Sequence, residues 1–247
     1  MKKIIILSKK EGETPLFVLE NFRKNNPKYL KVPMTYAGRL DPMASGVLVI
    51  LAGDEIRNKE KYLALDKEYN FSILFGFSTD TYDILGKVCK SEYINLSKKE
   101  LVIKIEDNLK YFKGQIKQKY PIYSSKPVNG KPLFSYARNG EGVEIPEREI
   151  FVKKISLIKT RKISNKALFL NIKKRIAKVK GDFRQKEILK LWQASLKKSQ
   201  SYYVVDFKII CGSGTYVRAI SNSLGEKIKI PSLAFSIKRT KIGKFKA

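Results

Sequence analysis

The stretch from Tyr36 to Leu51 constrains the fold most tightly. Val47-Leu48-Val49-Ile50-Leu51 is an unbroken apolar run of the length that suits a buried strand. In front of it, Gly38-Arg39-Leu40-Asp41-Pro42 reads as a turn. Gly38 and Gly46 free the backbone, while Pro42 fixes one angle and keeps Asp41 out of a helix. A carboxylate is therefore carried on a loop ahead of a core strand, which is how rigid scaffolds present reactive groups. On spacing alone, the same pattern also fits an aspartate that bonds its own turn.

Charge narrows the partner. Lysine and arginine number 51 against 23 aspartates and glutamates, for a formal net charge of +28. Such a chain repels itself and favours a polyanion, with nucleic acid first and an anionic membrane surface second. A lysine-rich proteome would give the same excess. No apolar run reaches 18 residues, so no membrane span is expected, and the apolar part of Met1 to Leu7 is too short for a signal peptide. Cys89 and Cys211 lie far apart without metal spacing, which points to a reduced, cytoplasmic setting. The chain has no histidine. Histidine-based hydrolase triads and most zinc sites are thereby excluded, and acid–base work falls to carboxylates, tyrosines, lysines and arginines.

Along the chain, Lys2 to Leu7 reads as a strand. Thr14 and Pro15 open a helix carrying Leu16, Leu19 and Phe22. Glu55 to Leu65 reads as a short helix. Lys67 to Phe75 alternates as a half-buried strand, with Tyr69, Phe71 and Ile73 on one face. Ser78 to Asp83 is a polar loop that fits a hydrogen-bonded turn better than a metal site. Ser97 to Glu100 is a capping box for a helix with Val102, Ile105, Leu109 and Phe112, ended by Gly114. From Tyr120 to Gly140, tyrosines interleave with Lys126, Lys131 and Arg138. That loop is suited to stacking bases and gripping phosphates, and equally to being a plain surface loop. Phe151 to Ile158 and Ala167 to Ile172 read as strands. Ile172 to Gln200 holds ten basic residues against Asp182 and Glu187, with a helical stripe through Ile188, Leu191, Trp192 and Leu196. It reads as a basic helical insertion, either an RNA-contacting arm or a solvated helix. Tyr202 to Ile210 reads as a strand, Thr215-Tyr216-Val217-Arg218 opens a helix, and Leu233 to Thr240 is a last strand with a basic edge. With no repeat and no long linker, one domain over 1–247 is expected.

Five segments resemble, in the same order, the motifs of the TruB-type tRNA pseudouridine synthases. They are the turn at Lys9 to Pro15; Gly38-Arg39-Leu40-Asp41-Pro42-Met43-Ala44-Ser45-Gly46-Val47-Leu48; Lys67-Glu68-Tyr69 with Gly76 to Gly86; Tyr123-Ser124-Ser125-Lys126 to Gly140; and Gly214-Thr215-Tyr216-Val217-Arg218 to Glu226. The resemblance spans nearly the whole chain. It implies an α+β fold, a mixed and mostly antiparallel central sheet flanked by helices, with an active-site cleft and a thumb loop. It implies that Asp41 is the catalytic aspartate, Tyr69 the base-stacking tyrosine and Arg218 the partner of Asp41. Tyr216 and Ile237 would line the uridine pocket, and Arg39, Lys126 and Arg138 would hold RNA. Tyr36, where many members have histidine, would stack against displaced bases. The implied substrate is uridine 55 in the T arm of tRNA, with no cofactor, no metal and a monomeric enzyme. Members usually carry a C-terminal PUA domain, and none is expected within 1–247. The basic insertion, longer than the usual connection there, is expected to compensate in tRNA binding. A non-enzymatic tRNA-folding chaperone and a synthase of other RNAs remain as alternatives.

Overall fold

The computed structural model describes residues 2–196 and 200–246. In chain order, β1 (Ile4–Lys9) leads to α1 (Pro15–Lys24), β2 (Met34–Ala37), β3 (Ala44–Ala52), α2 (Lys59–Ala64) and β4 (Lys67–Phe75). A small hairpin of β5 (Phe77–Thr79) and β6 (Val88–Ser91) precedes α3 (Lys98–Leu109) and β7 (Gly114–Lys119). Then come the short pair β8 (Pro127–Val128) and β9 (Lys131–Pro132), α4 (Leu133–Asn139) and the long β10 (Glu147–Ser164). The chain finishes with α5 (Asn165–Ile176), α6 (Gln185–Ser195), β11 (Ser201–Cys211), α7 (Val217–Ile228), β12 (Ser232–Ile242) and β13 (Phe245–Lys246).

The main sheet runs β1-β3-β12-β4-β11-β10-β7, with β2 added to β3 and β13 to β12. All these pairings are antiparallel except that of β12 with β3. The parallel pair sets Ile237 beside Ala44, so the last long strand passes the exit of the Asp41 turn. This is the mixed, mostly antiparallel sheet that the family resemblance implies.

Helices cover the sheet on both faces, and strand alternation assigns residues to them. Phe71, Ile73 and Phe75 of β4 pack with Val205, Phe207 and Ile209 of β11 against Leu101 and Ile105 of α3 and Ile220 and Leu224 of α7. The intervening Leu74, Val204, Leu233 and Phe235 face the other way and pack with Leu168, Ile172 and Ile176 of α5 and Ile188 and Trp192 of α6. The β4 strand is therefore buried on both faces along most of its length, where its alternation suggested half-burial.

Several local expectations need correction. Ala167 to Ile172 is helical. In a six-residue apolar run the two periods are hard to tell apart, and the deciding features are Leu168, Ile172 and Ile176 on one buried stripe and Ser164, whose hydroxyl accepts from Ala167 N at 3.3 Å. The helical connection thus begins at Asn165, ahead of the expected boundary at 172. Its stripe is core, so the segment is a docked layer of the fold and no free arm. Lys197 and Lys198, counted in the basic insertion, lie outside the described residues. Residues 53–64 form a 3-10 turn followed by α2, in place of one helix. Gly114 does not close α3, which ends at Leu109; it opens β7. The 120–140 stretch holds the β8–β9 pair and α4 where an irregular loop was expected. The Thr14 N-cap and the Ser97–Glu100 capping box form as predicted.

Candidate active site

The Asp41 turn is held by its carbonyls. Arg239, buried on β12, donates from Nε to Val47 O (2.9 Å), from Nη1 to Arg39 O (3.2 Å) and from Nη2 to Gly38 O (3.1 Å). Lys9 Nζ donates to Lys10 O, Glu13 O and Pro42 O at 3.0, 2.7 and 3.3 Å. Gly12 N also donates to Pro42 O, at 2.8 Å. Burial lowers the Lys9 ammonium to about 8, against the opposing pull of Glu13 and Asp41. Gly46 sits at φ +110°, and a Cβ there would come within 2.1 Å of Arg239 O. Only glycine lets β12 run this close to the turn.

Arg218 lies in the first turn of α7, 2% exposed. Its Nε donates to Asp41 Oδ2 at 2.8 Å, Nη1 to Thr81 O at 2.7 Å and Nη2 to Tyr123 O at 2.8 Å. Burial alone would lower its pKa; the carboxylates of Asp41 and Asp83 outweigh burial and raise it. The guanidinium is thus a fixed cation clamped between three loops. Asp83, also buried, accepts from Thr81 Oγ1 at 2.8 Å and from Leu85 N at 2.9 Å. Burial pushes its carboxyl up to about 6, with Arg218 pulling it back down. The Ser78–Asp83 loop is the hydrogen-bonded turn its composition suggests.

The Asp41 side chain keeps 36% of its surface exposed and borders an open cleft of about 1190 Å³. Tyr69, Tyr216, Ile237, Arg39 and Arg138 line the same cleft. Tyr69 stands on β4, and burial raises its hydroxyl pKa, so it is protonated at neutral pH. Tyr216 is fixed through its backbone, with N donating to Gln118 Oε1 at 2.9 Å and O accepting from Gln118 Nε2 at 3.1 Å. Its ring meets that of Tyr120 edge-on at 5.7 Å. Arg138 lies over Phe134, 5.4 Å from its ring centre. Two expected RNA contacts stand apart from the cleft lining. Lys126 sits 5.5 Å over the Tyr120 ring, and Tyr36 packs on β2 with the Leu19 and Tyr29 cluster.

Sequence reasoning overlooked Arg239, Asp83 and Arg184. Arg239 was visible only as a basic strand edge, and Asp83 only as one acid in a polar loop. Arg184, on the connection between α5 and α6, lines the cleft opposite the turn; nothing local in the sequence marks it. The cleft therefore combines a carboxylate, a buried cation that orients it, an aromatic platform and flanking basic groups. Such a set can fix a negative charge at the edge of the cleft and stack a planar ring beside it.

Comparison with known proteins identifies the family. The profile of the TruB family pseudouridylate synthase (N terminal domain) matches residues 28–175. The chain is 32% identical over 236 residues to tRNA pseudouridine synthase B of Lactobacillus acidophilus, covering 96% of this chain and 67% of that protein. It is 34% identical over 210 residues to the protein of the same name from Caldanaerobacter subterraneus, covering 85% and 59%. The chain thus spans only part of each relative. Among solved structures, a Cbf5-Nop10-Gar1 complex matches with a TM-score of 0.56 at 18% identity, over 98% of this chain and 49% of that one. An H/ACA RNP bound to a substrate RNA containing 2'-deoxyuridine matches with a TM-score of 0.54 at 17% identity, over 98% and 48%. Those two likenesses concern the fold.

Proposed function

The chain belongs to the TruB family of pseudouridylate synthases, and from that premise we propose that it isomerises uridine to pseudouridine in the T arm of tRNA, at position 55. The observation that carries this reading is the 2.8 Å bond from buried Arg218 Nε to Asp41 Oδ2 at the edge of a cleft that Tyr69 also lines.

In the proposed reaction, the target base leaves the folded tRNA at a cost of a few kcal/mol. Stacking on Tyr69 returns roughly 1–3 kcal/mol of that. Asp41 acts at the glycosidic bond, either as nucleophile or as the charge that supports the opened sugar. Arg218 keeps the carboxylate oriented; its fork of donors suits this better than a lysine would. The uracil turns in the pocket of Tyr216 and Ile237, C5 joins C1′ after the bond from N1 has broken, and the proton that C5 then loses is balanced by the one that N1 gains. Arg39 and Arg138 hold phosphates and set register. The enzyme acts as a cytoplasmic monomer without metal or cofactor. Among the described residues, no helix is long and apolar enough to cross a membrane.

The test is pseudouridine formation on an unmodified tRNA transcript by the wild type beside Asp41→Asn. Conversion at one T-arm uridine, lost in the variant, supports the reading. Tight binding without conversion by the wild type overturns it in favour of an RNA-folding role or another RNA substrate.

A further inference from the structure

We propose that the helical connection between β10 and β11 is a brace for the active-site arginine, and that Arg184 is its positioning residue; this rests on the function proposed above. The connection touches three separate loops of the site. Arg175 of α5 grips Glu11 of the N-terminal turn, with Nε at 3.0 Å from both carboxylate oxygens and Nη2 at 2.7 Å from Oε2. Trp192 of α6, fully buried, donates from Nε1 to Ile84 O at 3.2 Å, and Glu187 pairs with Lys87 at 2.6 Å. Those two contacts seat α6 on the loop that holds Thr81 and Asp83. Arg184 Nη1 then donates to Asp80 Oδ2 at 2.8 Å and to the Tyr123 hydroxyl at 2.6 Å, and its guanidinium lies 4.5 Å over the Tyr123 ring.

The target of this contact is specific. Arg218 donates to two carbonyls, Thr81 O and Tyr123 O. The first belongs to the loop that Asp80 and Trp192 anchor, and the second to the residue whose ring Arg184 covers. Arg184 therefore ties together the two loops that orient Arg218, and through Arg218 it sets the carboxylate of Asp41.

The loop carrying Arg184 is itself preorganised. Gln185 Nε2 donates to Val179 O at 3.2 Å and Gly181 O at 2.7 Å, Phe183 N donates to Gln185 Oε1 at 2.9 Å, and Arg184 N donates to Asp182 Oδ1 at 3.1 Å. Arg184 adopts φ +63°, a left-handed conformation that disfavours arginine and suits glycine. The backbone thus accepts an unfavourable residue at this point, and the side-chain contacts supply the reason for it. Nη1 is shared by Asp80 and Tyr123, and the guanidinium's face lies on a ring.

Arg184→Gly tests the proposal cleanly, because glycine relieves the backbone while deleting the side chain. At saturating tRNA transcript, the single-turnover rate is expected to fall roughly tenfold to a hundredfold, the scale of a small misplacement in a site. The tRNA Kd is expected to stay within about twofold and the melting temperature not to drop. Hydrogen exchange at residues 79–85 and 121–126 should speed up at least about fivefold as their shared tie is lost. Arg184→Lys, which keeps the charge but loses the planar fork, should recover less than half of the lost rate.

An unchanged rate overturns the brace. So does an unchanged rate with weakened binding, which makes Arg184 an RNA contact, and so does full recovery by lysine. If the wild type yields no pseudouridine, the proposed function fails on its own. The exchange data then decide: protection lost in Arg184→Gly keeps the brace, and unchanged protection removes it.

Discussion

The turn at residues 38–43 and the helical connection at residues 165–195 border the same cleft, but they are held by different means. The turn is anchored through its own backbone: Lys9 and Arg239 capture carbonyls of Pro42, Gly38 and Arg39, and Gly46 gives β12 room to pass. The connection is anchored by side chains that reach outward, with Arg175 to Glu11, Arg184 to Asp80 and Tyr123, and Trp192 to Ile84. One wall of the site is thus a backbone feature on a core strand. The other is the edge of a helical layer whose main work is to bury Leu74, Val204, Leu233 and Phe235. Two tasks follow from this division. The turn presents the Asp41 carboxylate, and the helical layer is tied to the two loops whose carbonyls Arg218 meets.

The largest expected effect breaks the chemistry and leaves both walls standing. Asp41→Asn should lower turnover by at least ~10⁴-fold, about 5.5 kcal/mol of barrier, with the fold kept because the amide oxygen still accepts from Arg218. A single-turnover assay beside a thermal melt checks it, and a variant that retains turnover removes Asp41 from the mechanism. Next in size, Trp192→Ala removes a fully buried indole whose ring meets Phe77 at a tilt, 5.1 Å between centroids. It should cost ~3–5 kcal/mol in urea unfolding and lower activity with it. Loss of stability with full activity would separate the helical layer from the site.

Lys9 sharpens the comparison through pH. Its folded pKa, held down to about 8, lies below the ordinary value of 10.5. Between those two values the unfolded chain carries the extra proton, so this group's contribution to stability rises with pH. The stability difference between wild type and Lys9→Met should therefore grow from pH 8 to 10.5, by up to about 3 kcal/mol. A flat difference in urea melts across that range would place the turn's anchor elsewhere. Smallest of all, Glu187→Gln removes a half-exposed ion pair with Lys87 and should cost less than ~1 kcal/mol in the same melts. A larger loss would mean that α6 is seated by charge more than by Trp192.

The amino-acid sequence by itself determined the turn ahead of β3, the caps at Thr14 and Ser97, and the long central strands. Each of these depends on neighbours a few residues away, through a proline, a glycine, a hydroxyl three positions before a carboxylate, or an apolar run. Tertiary structure decided that residues 167–172 coil, because six apolar-rich positions fit either period until a partner surface selects one. It also decided that β4 is buried on both faces and that the basic insertion is a core layer. Above all, it decided the roles of Arg239 and Arg184. Arg239 reaches a carbonyl 201 positions away, and Arg184 a carboxylate 104 positions away. Periodicity in a sequence records which side of an element avoids water. It does not record which distant loop a buried guanidinium will meet, because that depends on how the sheet and its two helical layers pack.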